Sequence, residues 1–331
     1  MHSRKSTETI GKMAICYDFD KTLSPDDMQA FTLIPSFGID KNTFWNGSNT
    51  LARDNLMDNN LAWMYELIRY SKFKHKSLKR EYFRDIGNNV LLYNGVESWF
   101  DRVNKYAMGK GIQVEHYIIS SGLKEIIEGS RIANKFNRIY ASSYLYDHDG
   151  IAEWPAQAIN YTNKTQYIFR IAKGFFDEFD ERVNNSMPED KLYIPYQNIV
   201  YIGDSATDIP CMRLVTSKGG YAIGVFDPEK NNRKNVYQLY NDHRINFYAP
   251  ADYSARGKLY TYIKHIIDDI SSKETMKKDQ SAFRESAILF EAYQSMKSLR
   301  DSIPTKSTNK HRKNLEAYIA EIKESIDGNI D

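Results

Sequence analysis

Short apolar runs and segments of helical period follow one another along most of this chain. Residues 13–17 form a mostly apolar run that is too short for a typical helix, which predicts a buried strand of a parallel sheet. Further strands are predicted at residues 114–119, 139–146, 198–202, 221–226 and 244–248. Helices are predicted at residues 96–107, 123–136, 162–183 and 256–271. This alternation of strands and helices indicates an α/β fold.

Residues 24–93 interrupt the alternation. Pairs of apolar residues recur there at roughly helical spacing, which predicts a helical segment of about seventy residues inserted directly after the first strand. The middle of the segment is basic, with Lys72, Lys74, His75, Lys76, Lys79, Arg80 and Arg84. Two interpretations are open: a helix face that is merely solvated, or a basic surface that meets an anionic substrate.

The last part of the chain has a third pattern. Apolar stripes predict two amphipathic helices at residues 279–303 and 310–326, joined by a linker at 304–309. They either pack on the rest of the chain or form a homodimer or partner contact. The predicted organisation is therefore a core domain of residues 1–23 and 94–271, a helical cap domain of residues 24–93 and a C-terminal helical extension of residues 272–331.

Composition narrows the class of protein. With 41% apolar and 27% charged residues among 331, the chain has an ordinary globular composition. A net charge of +2 predicts no bulk attraction to nucleic acid or membranes. Cys16 and Cys211 lie in or near apolar segments, which favours reduced thiols in a cytoplasmic protein. We expect no membrane span, because no run reaches about 18 apolar residues.

Candidate chemistry begins where the first predicted strand ends. Asp18 and Asp20 follow it at spacing i, i+2, so both carboxylates can point the same way along an extended chain. Open α/β sheets place their ligands at this end of the strands. Two like charges so close raise one pKa or recruit a cation. The pair therefore indicates divided acid and nucleophile roles or a metal site, unless it is only a solvated turn.

Further polar residues stand at equivalent places. Ser120 follows the second strand, and Asp204 and Asp208 lie four residues apart across a strand-to-helix turn. Lys164 occupies the first turn of a predicted helix on the same face as Ile168. A cation there opposes the helix dipole, so an inward-facing lysine requires an anionic partner. The alternative is a solvated lysine at a frayed helix end.

Four motifs in this order resemble those of the haloacid dehalogenase (HAD) superfamily of aspartyl-phosphate hydrolases: Asp18-Phe19-Asp20-Lys21-Thr22, Ser120, Lys164 and Gly203-Asp204-Ser205-Ala206-Thr207-Asp208. The likeness covers about residues 12–271 and is greatest for the phosphoserine-phosphatase-like branch. It implies a doubly wound, Rossmann-like parallel sheet. The first strand would be central, between the strands that end at Ser120 and Asp204. The insertion would be a helical, C1-type cap over the site.

The resemblance also implies an activity, a Mg²⁺-dependent phosphoric monoester hydrolase acting on a small phosphorylated metabolite. Asp18 would be the nucleophile that forms an aspartyl-phosphate, and Asp20 the general acid and base. Mg²⁺ would be held by the Asp18 carboxylate, the Asp20 carbonyl and Asp204, with Asp208 acting directly or through water. A phosphotransferase and a non-catalytic binding module that uses the C-terminal helices are the alternatives.

The remaining implied roles concern the phosphoryl group. Ser120 would hydrogen-bond one of its oxygens, with Ser121 as the rival serine, and Lys164 would neutralise its charge. Thr22 would help to fix the nucleophile loop within the phosphate site. The backbone N–H groups of Phe19 and Ser121 would add donors.

Overall fold

A computed structural model of the chain describes residues 11–230, 233–302 and 310–328. The chain divides into two compact units, Met1–Ile270 and Ser271–Asp331, which are described separately. No helix in the described ranges is long and apolar enough to cross a bilayer.

The first unit is built on one seven-stranded sheet. Its strands are β1 (Gly11–Tyr17), β2 (Ile112–Leu123), β3 (Arg138–Tyr146), β4 (Ala152–Gln157), β5 (Ile199–Gly203), β6 (Tyr221–Phe226) and β7 (Phe247–Pro250). The order is β4-β3-β2-β1-β5-β6-β7. All neighbours pair in parallel except β3 and β4. The predicted α/β sheet with its first strand central is confirmed, whereas the antiparallel edge strand β4 was not predicted.

The position of β1 explains its apolar run. Alternate residues of a strand point to opposite faces, and both faces of β1 are covered. Met13 and Ile15 belong to the core on one face, whereas Ala14 and Cys16 belong to the core on the other. All four are fully buried. From Met13 to Tyr17 the strand is covered on both sides and has no solvated position, so this part of its sequence cannot alternate between polar and apolar residues.

Helices connect and cover these strands. They are α1 (Met28–Phe31), α2 (Leu33–Ser36), α3 (Lys41–Asp54), α4 (Asn59–Phe73), α5 (Arg80–Gly87), α6 (Val96–Met108), α7 (Lys124–Gly129), α8 (Lys164–Lys173), α9 (Ile209–Ser217) and α10 (Lys234–Asn241). The first five occupy the predicted helical insertion. Helix α5 packs closely on α7, since a Cβ on Gly129 would lie 1.9 Å from the Arg84 carbonyl oxygen.

Two helices are shorter than predicted. Helix α8 ends at Lys173 because Gly174, with φ of 76°, adopts the left-handed conformation that terminates helices. Phe179, which lies within the predicted helix of residues 162–183, is 93% exposed. Helix α7 ends at Gly129, and only a short 3₁₀ turn, Ala133–Lys135, follows it. In both cases apolar residues beyond the true end of the helix continue the helical spacing, so the predicted helix was too long.

The C-terminal region differs from the prediction in one respect. Helix α11 (Lys258–Ser302) is continuous through 45 residues, so the helices predicted at 256–271 and 279–303 are one element. Its buried side chains all lie before Ser271, and Phe283, for example, is 70% exposed. Helix α12 (Lys310–Gly328) matches the last predicted helix. The predicted linker at 304–309 lies outside the described residues.

Candidate active site

The carboxyl ends of three neighbouring strands meet at one edge of the sheet. Because β1 lies between β2 and β5, Asp18 after β1, Ser120 in β2 and Asp204 after β5 come together there. All three residues line a cavity of about 470 Å³. The prediction that these strand ends converge is confirmed.

Lys164 begins α8 and is wholly buried. Its Nζ lies 2.8 Å from Asp208 Oδ1 and 3.3 Å from Asp18 Oδ1. Burial by itself lowers the pKa of the Lys164 ammonium, but the two carboxylates raise it above its ordinary value. Lys164 is therefore a charged, inward-facing lysine with anionic partners, as its helical phase predicts.

Asp208 is fully buried, and both of its carboxylate oxygens are engaged within the protein. Oδ1 accepts hydrogen bonds from Lys164 Nζ and Tyr201 Oη, each at 2.8 Å. Oδ2 accepts from the backbone N–H groups of Asp204 and Ser205, both at 3.2 Å, and from the Ser205 hydroxyl at 3.1 Å. Asp208 therefore holds Lys164 and the loop after β5 in place.

Asp18 lies almost buried at the end of β1. Its Oδ1 accepts the Phe19 N–H at 2.8 Å, so this N–H, predicted as a phosphate donor, contacts the carboxylate of the predicted nucleophile in this structure. Burial raises the pKa of Asp18 to about 6, although the Lys164 charge opposes the rise. The Asp18 carboxylate is thus ionised near neutral pH and is only partly compensated by its lysine.

Asp20 stands two residues further on, at the edge of the cavity. The Met28 N–H at the start of α1 donates to Asp20 Oδ1 at 2.7 Å and fixes the carboxyl group. Burial raises the pKa of Asp20 well above its ordinary value, and the neighbouring charges of Asp27 and Asp18 raise it further. A carboxyl group with a raised pKa suits the general acid predicted at this position.

Three carboxylates crowd one point of the site. Oxygen atoms of Asp18, Asp204 and Asp208 lie within 4.8 Å of one another. Burial raises the pKa of Asp204 well above its ordinary value, and the carboxylates of Asp208 and Asp18 add to the rise. This crowding of hard oxygen ligands fits a Mg²⁺ ion. Because the Asp208 oxygens are engaged elsewhere, its role as a ligand, direct or through water, stays a prediction.

The smaller polar groups take different positions. Ser120 and Ser121 line the cavity. Ser120 Oγ accepts the Gly122 N–H at 3.1 Å, whereas Ser121 Oγ is buried with no hydrogen-bond partner among the described residues. Thr22 is buried, and its hydroxyl donates to Asp204 Oδ1 at 3.4 Å. Thr22 therefore joins the loops after β1 and β5 and does not line the cavity.

The helical insertion supplies much of the remaining cavity wall. Asn160 and Tyr161, from the loop before α8, also line the cavity. The residues of the insertion that line it are mostly uncharged, and the uncharged ones are Gln29, Trp45, Ser48, Asn49, Met57, Asn59, Asn60 and Trp63. Sequence reasoning missed these residues. Periodicity located the helices but could not show which face meets the site, and buried tryptophans have the same pattern as core residues.

The basic run of residues 72–84 lies elsewhere. None of its lysines, arginines or His75 lines the cavity. Lys76 stands over the Tyr82 ring at 4.8 Å, and Arg84 pairs with Glu128 at 2.9 Å. The interpretation as a substrate-binding surface is therefore wrong for this cavity, and a mostly solvated face describes the run.

Doubly wound α/β proteins place their sites at the carboxyl ends of parallel strands, and the fold and cavity put this chain in that class. Residues 15–213 match the family model described as haloacid dehalogenase-like hydrolase. The match spans more than half of the 331 residues, so the chain belongs to this family, as its four motifs predict.

The individual proteins that resemble this chain have low sequence identity to it. An uncharacterized protein of Borreliella burgdorferi is 27% identical over 275 residues, which are 76% of this chain and 95% of that protein. A HAD family hydrolase from Salmonella enterica serovar Typhi is 17% identical with a TM-score of 0.46, over 67% of this chain and 65% of that one. A probable phosphoserine phosphatase from Vibrio cholerae is 11% identical with a TM-score of 0.48, over 83% and 69% of the two chains. Since both scores are below 0.5, the family assignment rests on the family model.

Proposed function

We propose that this protein is a Mg²⁺-dependent phosphoric monoester hydrolase that acts through an aspartyl-phosphate on a small phosphorylated metabolite. The observation that carries the proposal is the Asp18 carboxylate, which lines the cavity 3.3 Å from the buried Lys164 ammonium. Asp20, two residues away in the same wall, supplies a carboxyl group with a raised pKa.

The first step breaks the bond between phosphorus and the leaving oxygen. The Asp18 carboxylate attacks phosphorus and becomes an acyl phosphate, while Asp20 gives its proton to the departing alcohol. In the second step Asp20 takes a proton from water, whose oxygen attacks phosphorus and releases phosphate and the free Asp18 carboxylate. Lys164 compensates negative charge, and the Ser120 or Ser121 hydroxyl donates to a phosphoryl oxygen.

Asp18, the Asp20 carbonyl and Asp204 would hold Mg²⁺. The ion supplies positive charge that reduces repulsion between an anionic carboxylate and an anionic phosphate ester.

Hydrolysis of p-nitrophenyl phosphate with and without Mg²⁺ tests the activity. Asp18→Asn should abolish both turnover and phosphoenzyme formation. Asp20→Asn should slow turnover by about 10²–10⁴-fold, the usual contribution of general acid–base catalysis, yet still trap phosphate on Asp18 with this good leaving group. Equal trapping in both variants would show that Asp18 is not the nucleophile. Transfer of phosphate to added glycerol in preference to water would identify a phosphotransferase.

A further inference from the structure

The cavity wall contributed by the helical insertion has two charged residues among those that the structure describes, Asp27 and Asp58. Its two acidic residues are engaged: Asp27 Oδ1 accepts from Lys21 Nζ at 2.7 Å, and Asp58 caps α4. Asp58 Oδ1 accepts the backbone N–H groups of Asn60 at 2.8 Å and Leu61 at 3.1 Å. Across residues 11–230, 233–302 and 310–328, Lys21 is the one lysine, arginine or histidine that lines the cavity.

Besides Ser121 Oγ, which belongs to the predicted phosphate site, two buried polar atoms of cavity-lining side chains lack partners among the described residues, and both lie on the helical insertion. They are Gln29 Oε1, an acceptor, and Trp45 Nε1, a donor. Gln29 is only 2% exposed. Buried polar atoms are nearly always hydrogen-bonded, and leaving one unpaired is costly. A ligand that offers one donor and one acceptor would therefore satisfy both.

Aromatic surface accompanies these groups. The rings of Trp45 and Trp63 lie with centroids 6.4 Å apart at 72°. Indole rings combine a large apolar face with one N–H donor, so they match a ligand that has an apolar C–H face and polar edges. The volume of about 470 Å³ lies within the roughly 300–1,000 Å³ of small-molecule sites.

We infer that the alcohol released by this enzyme is an uncharged polyhydroxy compound, a sugar or polyol, whose hydroxyl groups pair with Gln29 and Trp45. The inference rests on the proposed phosphatase function. A hydroxyl both donates and accepts, so one class of ligand satisfies both unpaired atoms. A carboxylate or second phosphate on the leaving group would meet Asp27 and Asp58, and no lysine, arginine or histidine of the insertion lines the cavity to balance its charge. An ammonium group would have to compete with the Lys21 ammonium at Asp27 and with the N–H donors already bound to Asp58.

Two substrate series that differ in charge test the inference in wild-type protein with Mg²⁺. The six-carbon series is glucose 6-phosphate, 6-phosphogluconate and glucosamine 6-phosphate. The three-carbon series is glycerol 3-phosphate, 3-phosphoglycerate and O-phosphoserine. In at least one series, we expect the compound whose leaving group is uncharged, glucose 6-phosphate or glycerol 3-phosphate, to have a kcat/KM about tenfold or more above those of the other two members. The inference is overturned if, in each of the two series, a compound with a charged leaving group has a kcat/KM equal to or above that of the compound with the uncharged leaving group.

Two substitutions test the pairing itself. Trp45→Phe keeps an aromatic ring and removes the N–H, and Gln29→Leu removes the acceptor. Each should lower kcat/KM on the best uncharged substrate, relative to acetyl phosphate, by about fivefold or more, the effect of one lost hydrogen bond. Trp154→Phe and Gln113→Leu make the same changes at exposed positions outside the cavity and should leave the ratio unchanged.

The outcomes separate the two proposals. Acetyl phosphate has a small leaving group without hydroxyls, so its hydrolysis reports the phosphatase chemistry and folding of each variant. Hydrolysis of acetyl phosphate together with an unaltered ratio in both cavity variants overturns the pairing and leaves the phosphatase function intact. No hydrolysis of acetyl phosphate or any series member overturns the proposed function, and the substrate class with it.

Discussion

Tyr201 does not line the cavity, but it contacts a residue that holds the buried Lys164 in place. Its hydroxyl donates to Asp208 Oδ1 at 2.8 Å, and the same oxygen accepts Lys164 Nζ. One carboxylate oxygen thus sets the direction in which the buried ammonium lies relative to Asp18. Tyr201 is a positioning residue, because it reaches the reacting atoms only through Asp208 and Lys164.

Tyr201→Phe should therefore reduce kcat about fivefold, the effect of about 1 kcal/mol for a lost hydrogen bond, and leave KM nearly unchanged. Steady-state kinetics on p-nitrophenyl phosphate measure the two constants. Tyr106→Phe is a matched control, since it also removes a tyrosine hydroxyl bound to a carboxylate, that of Asp268, remote from the cavity. Equal effects of the two substitutions would argue against positioning.

Asp204 is the residue whose loss should affect the metal most directly. It has a cavity-lining carboxylate in the acidic cluster with Asp18, and Asp204→Asn replaces a charged ligand with a neutral one. We expect the Mg²⁺ concentration for half-maximal activity to rise at least about tenfold, with activity partly restored at high Mg²⁺. A Mg²⁺ titration measures this. Wild-type activity that persists in excess chelator would contradict the metal assignment.

At the scale of elements, a chain of hydrogen bonds joins α6 to the two central strands. Trp99 Nε1 donates to Tyr17 Oη at 2.8 Å, and Tyr17 Oη is 3.0 Å from His116 Nδ1. His116 Nε2 lies 2.9 Å from Asn104 Oδ1. The chain is consistent when His116 is neutral with its proton on Nε2, so that Nδ1 accepts the tyrosine proton. Burial lowers the pKa of His116 to about 3, although Asp101 opposes the shift.

His116 should therefore make stability depend on pH. The folded-state pKa lies below the ordinary value near 6.5, so the unfolded state binds more protons at acidic pH and stability is lost as pH falls below about 6.5. Between pH 7.5 and 5.0 the wild type should lose about 2 kcal/mol more of its unfolding free energy than His116→Gln does. Urea denaturation at both pH values measures the difference.

The exposed His148 supplies the control for this experiment, because its side chain is 90% accessible. His148→Gln should lose the same free energy between the two pH values as the wild type. If His116→Gln also behaves as the wild type does, the buried histidine is not the source of the acid sensitivity.

At the scale of the whole molecule, α11 runs through the division between the two units. Its buried side chains are Leu259, Ile263, Ile266, Ile267 and Ile270, all within the first unit. The sheet, the cavity and the family match to residue 213 also belong to that unit. The proposed chemistry therefore uses only residues before Ser271.

A chain truncated after residue 275 should keep kcat/KM within about twofold and its unfolding midpoint within a few degrees, because none of the buried positions of α11 is removed. Truncation after residue 262 removes four of the five buried residues and should unfold the protein, since each buried isoleucine contributes roughly 1.5–3 kcal/mol. Thermal unfolding followed by circular dichroism compares them. A large loss of stability in the longer chain would show that residues 276–331 contribute to the stability of the first unit.

The sequence by itself determined the parallel strands of the sheet and the identity of the charged groups, although not the antiparallel edge strand β4. A strand covered on both faces must be apolar throughout, which made β1 recognisable, and the carboxyl ends of parallel strands necessarily share one edge of a sheet. An inward-facing lysine needs an anion, so the position of Lys164 was predictable before its partner was known. These inferences depend on local period and elementary electrostatics.

Only the tertiary structure decided which groups meet. Tyr201 and Lys164 both donate hydrogen bonds to Asp208, and these contacts depend on how β5, α8 and α9 pack against one another. Such long-range packing has no local signal in the sequence. Likewise, only the folded chain shows that Gln29 and Trp45 have unpaired buried atoms, because helical period indicates that a face is buried but not what covers it. The charge of the basic run suggested contact with an anionic substrate, yet none of its basic residues lines the cavity in the folded chain. Charge and hydrophobic period can be read from the sequence, whereas tertiary packing determines whether a helix face lies against the core or lines a cavity.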